Sequence, residues 1–196
     1  MLVLDPAAPL ETAAKFLDAW HVDELGRKLL RCHGAVFHRY DGLAYRPIEE
    51  DRLTAEIYDY TEPAVRTGKA NADRFNPDRR KIGDILHALK ALTHLLGEIA
   101  PPVWLTEAPP DMAAEDILSC RNTLLHWPTM SQVPHTPDFF TPNSLDFGYE
   151  PEATCPRWLR FLEQVLPDDI EARAQLKRMF GYLLTPDMID GAGAVL

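Results

Sequence analysis

Ten of the seventeen prolines fall between Pro101 and Pro156. A proline ring fixes φ, removes an amide donor and clashes with the carbonyl one turn back, so no long regular helix runs through that stretch. The chain is thereby divided into an N-terminal part that can hold helices, an extended middle, and a short end from Pro156 onward. In the middle, Asp116 to His126 has the apolar density for one or two short strands. The remainder, through Pro134, Pro137 and Pro142, reads as an extended, wrapping segment.

The N-terminal part mixes both periodicities. Thr12 to Trp20 reads as a short helix, with Thr12 a suitable cap and Phe16, Leu17 and Trp20 on one side. Lys28 to Ile48 is dense in aromatic and β-branched residues, with Gly34 and Asp41-Gly42 as breaks. Two or three short strands joined by a hairpin follow from that pattern. Glu49 to Val65 returns to helical spacing through Leu53, Ile57 and Tyr60, and Pro63 closes it. A winged-helix-like arrangement of these pieces remains open. Arg66 to Asn76 reads as an exposed loop. Asn76-Pro77 then suits a helix start, and Ile82, Ile85, Leu86, Leu89, Leu92, Leu95 and Leu96 carry that helix to Gly97. Beyond the proline-rich stretch, Pro156 to Leu166 and a segment opened by Asp168 and Asp169 read as two amphipathic helices.

The expected fold is therefore mixed α+β. It comprises a small strand-rich N-terminal unit (1–66), a basic loop with a long helix (67–100), the proline-rich segment (101–155), a C-terminal helical pair (156–187) and a divergent tail (188–196). No run of about 18 apolar residues occurs, so no membrane-spanning helix is expected. Met1 to Leu10 carries acid and proline without a basic leader region, which predicts a cytoplasmic protein.

Net charge is −10, against a whole-surface nucleic-acid binder. The distribution is uneven, however. Arg66 to Lys81 holds six basic and two acidic residues inside an otherwise acidic chain. Arg66, Lys69, Arg74, Arg79, Arg80 and Lys81 are the candidate phosphate contacts, with Arg121 and Asn122 a second pair. The alternative is a solvated loop paired with neighbouring acids, and a structural ion pair for Arg121.

Residues for chemistry are sparse. No Gly-x-x-x-x-Gly-Lys-Ser/Thr loop and no Gly-x-Ser-x-Gly elbow occurs in the sequence. Cys32, Cys120 and Cys155 form no CxxC pair, so they read as buried thiols without a zinc site or disulfide framework. His87 and His94 lie two helical turns apart, too far to share one ion. Cys32, His33 and His38 straddle strand faces, and no cofactor is expected. Cys120 with His126 is the only local thiol–histidine pairing, the basis of a small-hydrolase alternative.

Five stretches in order carry a resemblance: Phe37 to Tyr45, Ile117 to His126, Pro134 to Thr141, Cys155 to Leu162 and Phe180 to Asp187. Over most of residues 10–187 the sequence resembles the helicase-associated N-terminal domain of superfamily 3 primase-helicases of phages, plasmids and poxviruses. In that family the Thr-Pro-Asp step leads into an ATPase motor. The resemblance implies a module without catalytic residues of its own, concerned with oligomerisation and DNA handling. Its expected partners are single-stranded or forked DNA, further copies of itself, or the ATPase domain through Trp158, Phe161 and Phe180. After Asp187 the match is lost, and the expectation is a truncated reading frame, checked by reading the downstream DNA. A protein-interaction scaffold without DNA affinity is the rival reading.

Overall fold

The computed structural model describes residues 1–66 and 73–183. In chain order the elements begin with β1 (Val3–Leu4), α1 (Pro9–Trp20), β2 (Leu30–His33), β3 (Val36–Tyr40) and β4 (Tyr45–Ile48). Next come α2 (Glu50–Thr61), β5 (Val65–Arg66), α3 (Arg79–Thr93) and β6 (Val103–Trp104). A 3-10 turn at Ala114–Asp116 leads into β7 (Ile117–Ser119), β8 (Leu124–His126), β9 (Ser131–Val133) and β10 (Phe139–Phe140). Two helices close the described chain, α4 (Pro156–Val165) and α5 (Ile170–Tyr182). The protein is mixed α+β.

The chain forms two compact units. The first holds Met1–Thr106 and Thr136–Asn143, the second Glu107–His135 and Ser144–Leu196. In the first, β2, β3 and β4 make an antiparallel sheet with Cys32 opposite Phe37 and Tyr40 opposite Tyr45. The β2–β3 turn uses Gly34 and Ala35, both at positive φ (56° and 66°). Two left-handed residues give the turn whose twist matches a hairpin. The β3–β4 loop is held by Asp41, whose Oδ1 accepts from the amides of Leu43 and Ala44, both at 2.8 Å. Helix α3 packs against α1, α2 and β2. Phe16, Phe37, Leu53, Ile57, Ile82, Ile85 and Leu89 fill the core between them. Apolar residues three and four apart on each helix supply that face.

Two helix starts differ from expectation. Helix α1 begins at Pro9, and Thr12 lies buried inside it instead of capping it. Proline suits the first helical position because its missing donor would be unpaired there anyway. For α3 the cap is Asp78, not Asn76. Asn76 sits at φ 50°, a left-handed conformation that asparagine tolerates, and the Asp78 carboxylate reaches the Lys81 amide at 3.0 Å. The helix also stops at Thr93, short of Gly97. Beyond it the chain turns extended, and the Leu95 amide donates to the Cys32 carbonyl at 2.8 Å.

The proline-rich segment is more structured than a wrapping strand. Within the first unit, β6 pairs antiparallel with β10, Trp104 opposite Phe139. Phe140 joins Tyr45 and Leu95 in a second apolar cluster, and the Tyr45 hydroxyl donates to the Pro137 carbonyl at 2.6 Å. Within the second unit, β7, β8 and β9 form an antiparallel sheet, with Leu124 opposite Ser119 on one side and Val133 on the other. The prolines fall outside these strands, where no ladder donor is lost. Helix α5 is tied to the end of α4 by Arg173, which donates to the carbonyls of Leu166 and Pro167.

Candidate nucleic-acid interface

Arg66 ends β5, paired in parallel with Leu4 of β1, and its amide donates to the Asp73 carbonyl at 2.8 Å. Arg74 forms a bridge with Val65, and its side chain is 83% exposed. It approaches Glu62 at 3.9 Å, and both partners are open to solvent, where such pairs are worth little. Phe75 follows, 2% exposed, and its amide donates to the Ala64 carbonyl. This buried ring anchors the chain between the Arg74 bridge and the start of α3.

Arg79 and Arg80 occupy the first turn of α3 and are exposed. Lys81 turns back, its Nζ donating to Asp78 Oδ2 at 2.6 Å and to the Asn76 carbonyl at 2.8 Å, 5.9 Å from the Phe75 ring centroid. Hydrogen bonds from the Lys81 side chain and amide hold the Asp78 carboxyl below the usual carboxylate range. Three cations in the first turn of a helix oppose the helix dipole, whose positive end lies there. Anions are favoured at the same place for the same reason. The structure thus brings Arg66 and Arg74 together at a strand and its bridge, and Arg79 and Arg80 onto a positive helix end five residues further on. Lys69 lies outside the described residues.

Arg121 and Asn122 belong to the second unit. Arg121 is exposed. Asn122 is engaged by its own chain: Nδ2 donates to the Tyr149 carbonyl at 3.0 Å and Oδ1 accepts the Tyr149 amide at 2.8 Å. A Cβ at Gly148 would stand 3.2 Å from that Oδ1, close enough to press on the clamp. The Arg121 amide donates to the Phe147 carbonyl at 2.9 Å. Trp158 stacks on Phe161 at 5.5 Å and meets Phe180 edge-on at 5.4 Å. Phe161 and Phe180 are half exposed, with Leu159, Val165 and Met179 also open on these two helices.

Cys32 and Cys120 are buried and Cys155 exposed. Burial pushes the Cys120 thiol up, the opposite of what a nucleophile needs. His126 is directed elsewhere, its Nδ1 2.7 Å from the Thr129 hydroxyl and its Nε2 4.0 Å from Asp116. No group of three or more His, Cys, Asp or Glu side chains is placed to hold a metal ion among the described residues. No described helix is long and apolar enough to cross a membrane.

Sequence reasoning did not single out His21, Arg39 and Glu56. They come from the end of α1, from β3 and from α2, and converge only through packing. Arg39 donates to Glu56 at 2.5 Å, and His21 Nε2 lies 3.5 Å from the same carboxylate oxygen. The helical spacing of Leu53, Ile57 and Tyr60 signals which face of α2 is apolar, and Glu56 lies next to that face, so its partial burial was the one available hint.

The sequence profile of the family described as D5 N terminal like matches residues 14–167. No curated protein matches the chain.

Proposed function

The chain belongs to the D5 N terminal like family, the N-terminal domain of phage-, plasmid- and poxvirus-type primase-helicases, and on that premise we propose that it is a DNA-handling accessory module without catalytic residues of its own. The observation that carries this reading is the exposed cationic start of α3. Arg79 and Arg80 stand on a positive helix end, with Arg74 on the bridge before it. Such a surface reads phosphate, not sequence, and its affinity comes from counterion release.

Fluorescence anisotropy with single-stranded and forked DNA tests it. Binding is expected at low salt and should weaken steeply as salt rises. Arg79→Glu/Arg80→Glu should lower affinity by roughly tenfold or more, since two phosphate contacts become two repulsions. Equal binding by this variant and the wild type would remove the basic window from the reading. No binding at low salt would remove DNA handling altogether.

A second reading is oligomerisation or docking to an ATPase domain through α4 and α5. The half-exposed Phe161 and Phe180 beside Trp158 favour it, since clustered exposed aromatic residues mark contact surfaces. A cytoplasmic location is part of the same proposal.

A further inference from the structure

Trp20, His21, Leu29, Arg39, Tyr40 and Glu56 line a cleft of about 250 Å³ in the first unit. Trp20, at the last position of α1, is 45% exposed and presents an aromatic wall. Tyr40 and Leu29 supply more apolar surface. At the polar end, three groups from three elements meet. The His21 side chain is 4% exposed, and its Nε2, 3.5 Å from Glu56 Oε2, makes no well-aligned hydrogen bond among the described residues. Arg39 Nε is buried and also lacks one. Glu56 uses Oε2 for Arg39, while Arg52 approaches Oε1 at 3.5 Å. A carboxylate accepts about four hydrogen bonds, so Glu56 retains acceptor capacity.

Orphaned buried polar groups are rare, because each forfeits its hydration. Two of them behind a carboxylate with acceptor capacity left, next to an aromatic wall, give the cleft a polar end. Donors and an acceptor lie at one end and a flat apolar surface at the other, which matches a planar heterocycle with a polar rim. A second cleft of about 310 Å³ shares Arg39 and Tyr40 and adds Arg46 and Arg52. Asp41 and Glu49 line it too, and Arg46 is held by Asp41 and the Pro142 carbonyl, so the exposed Arg52 is the guanidinium there that can meet a phosphate.

We propose that the cleft takes the unstacked base of a nucleotide, an amino-bearing base in preference to thymine, with Glu56 accepting from the exocyclic amine, the outer Arg39 guanidinium at the ring edge and His21 behind them. Stacking on Trp20 supplies sequence-tolerant affinity, and the Glu56 contact supplies the preference. The base can arrive on a free mononucleotide or in a single strand. This site is separate from the basic window at the start of α3 and does not depend on it.

The test uses the full chain with ¹⁵N-labelled tryptophan, Trp20→Phe identifying one of the four indole signals. Deoxycytidine, deoxyadenosine and deoxyguanosine monophosphates should move the Trp20 signal and saturate it. Thymidine monophosphate should bind roughly tenfold more weakly, the discrimination that one good base-edge contact provides. Ligand-detected saturation transfer then reads the variants. Glu56→Gln should erase the preference for amino-bearing bases, and Trp20→Ala should weaken all four nucleotides. Arg79→Glu/Arg80→Glu should leave the mononucleotide titration unchanged, so the two sites can fail separately. A response to a single-stranded oligonucleotide but not to its abasic counterpart, with none to mononucleotides, supports the cleft and assigns its source as a strand. No response to either, or an equal response to the abasic strand, overturns the proposal.

Discussion

His21 is held between the Phe16 ring, 4.9 Å away, the Arg39 guanidinium and the Glu56 carboxylate. Burial first, and then the Arg39 charge, lower its pKa to about 4, with Glu56 opposing. The folded state therefore binds a proton less readily than the unfolded chain. The stability tied to neutral His21 is full above about pH 6.5 and is lost as pH falls toward 4. Urea unfolding at pH 7 and pH 4.5 should show it: His21→Gln is destabilised at pH 7, and the gap to wild type shrinks by up to about 3 kcal/mol at the lower pH. A constant gap would mean that His21 does not titrate with unfolding. Asn122 offers a plainer case. Asn122→Ala removes both hydrogen bonds to Tyr149 and should cost about 1–2 kcal/mol in the same assay, with no change in anisotropy if its role is the clamp alone. Neither role was legible in the sequence. His21 and Glu56 are 35 positions apart, Asn122 and Tyr149 are 27, and nothing in local spacing joins them.

At the scale of elements, the turn and the cap are the informative places. Ala35 holds φ 66°, a conformation that disfavours a Cβ. Ala35→Gly should raise stability by about 0.5–1 kcal/mol in thermal unfolding, because relief of strain outweighs the added freedom of the unfolded chain. Asp78→Ala removes the α3 cap and also releases Lys81 from its carboxylate. Its melting midpoint should fall while its affinity for single-stranded DNA rises, an opposition that a purely structural loop would not produce. The long helix and the β3–β4 hairpin were legible because Ile82, Ile85, Leu86 and Leu89 repeat at helical spacing and Asp41-Gly42 is turn chemistry. The start of α3 was misplaced by two residues because Asn76-Pro77 and Pro77-Asp78 both satisfy local capping rules. Only the left-handed backbone at Asn76 decides between them. β6, β9 and β10 went unread because strands of two or three residues have too few positions for alternation to register.

For the whole molecule, charge and exposed apolar surface are in opposition. A net charge of −10 disfavours both self-association and DNA, yet α4 and α5 leave Leu159, Phe161, Val165, Met179 and Phe180 open to solvent. Sedimentation velocity over a range of concentrations should show association that strengthens with salt as repulsion is screened, and Phe161→Lys/Phe180→Lys should abolish it. DNA affinity should move the opposite way with salt, so the two activities separate in one titration. The order of the units along the chain has its own consequence. The first unit is interrupted by 107–135 and completed by Thr136–Asn143. On the ribosome, Tyr45 therefore emerges long before Pro137 accepts its hydroxyl and Phe140 covers its ring. Until residue 143 is released, the nascent chain carries an open apolar notch at Tyr45 and Leu95, and a stop codon between 107 and 135 makes that notch permanent.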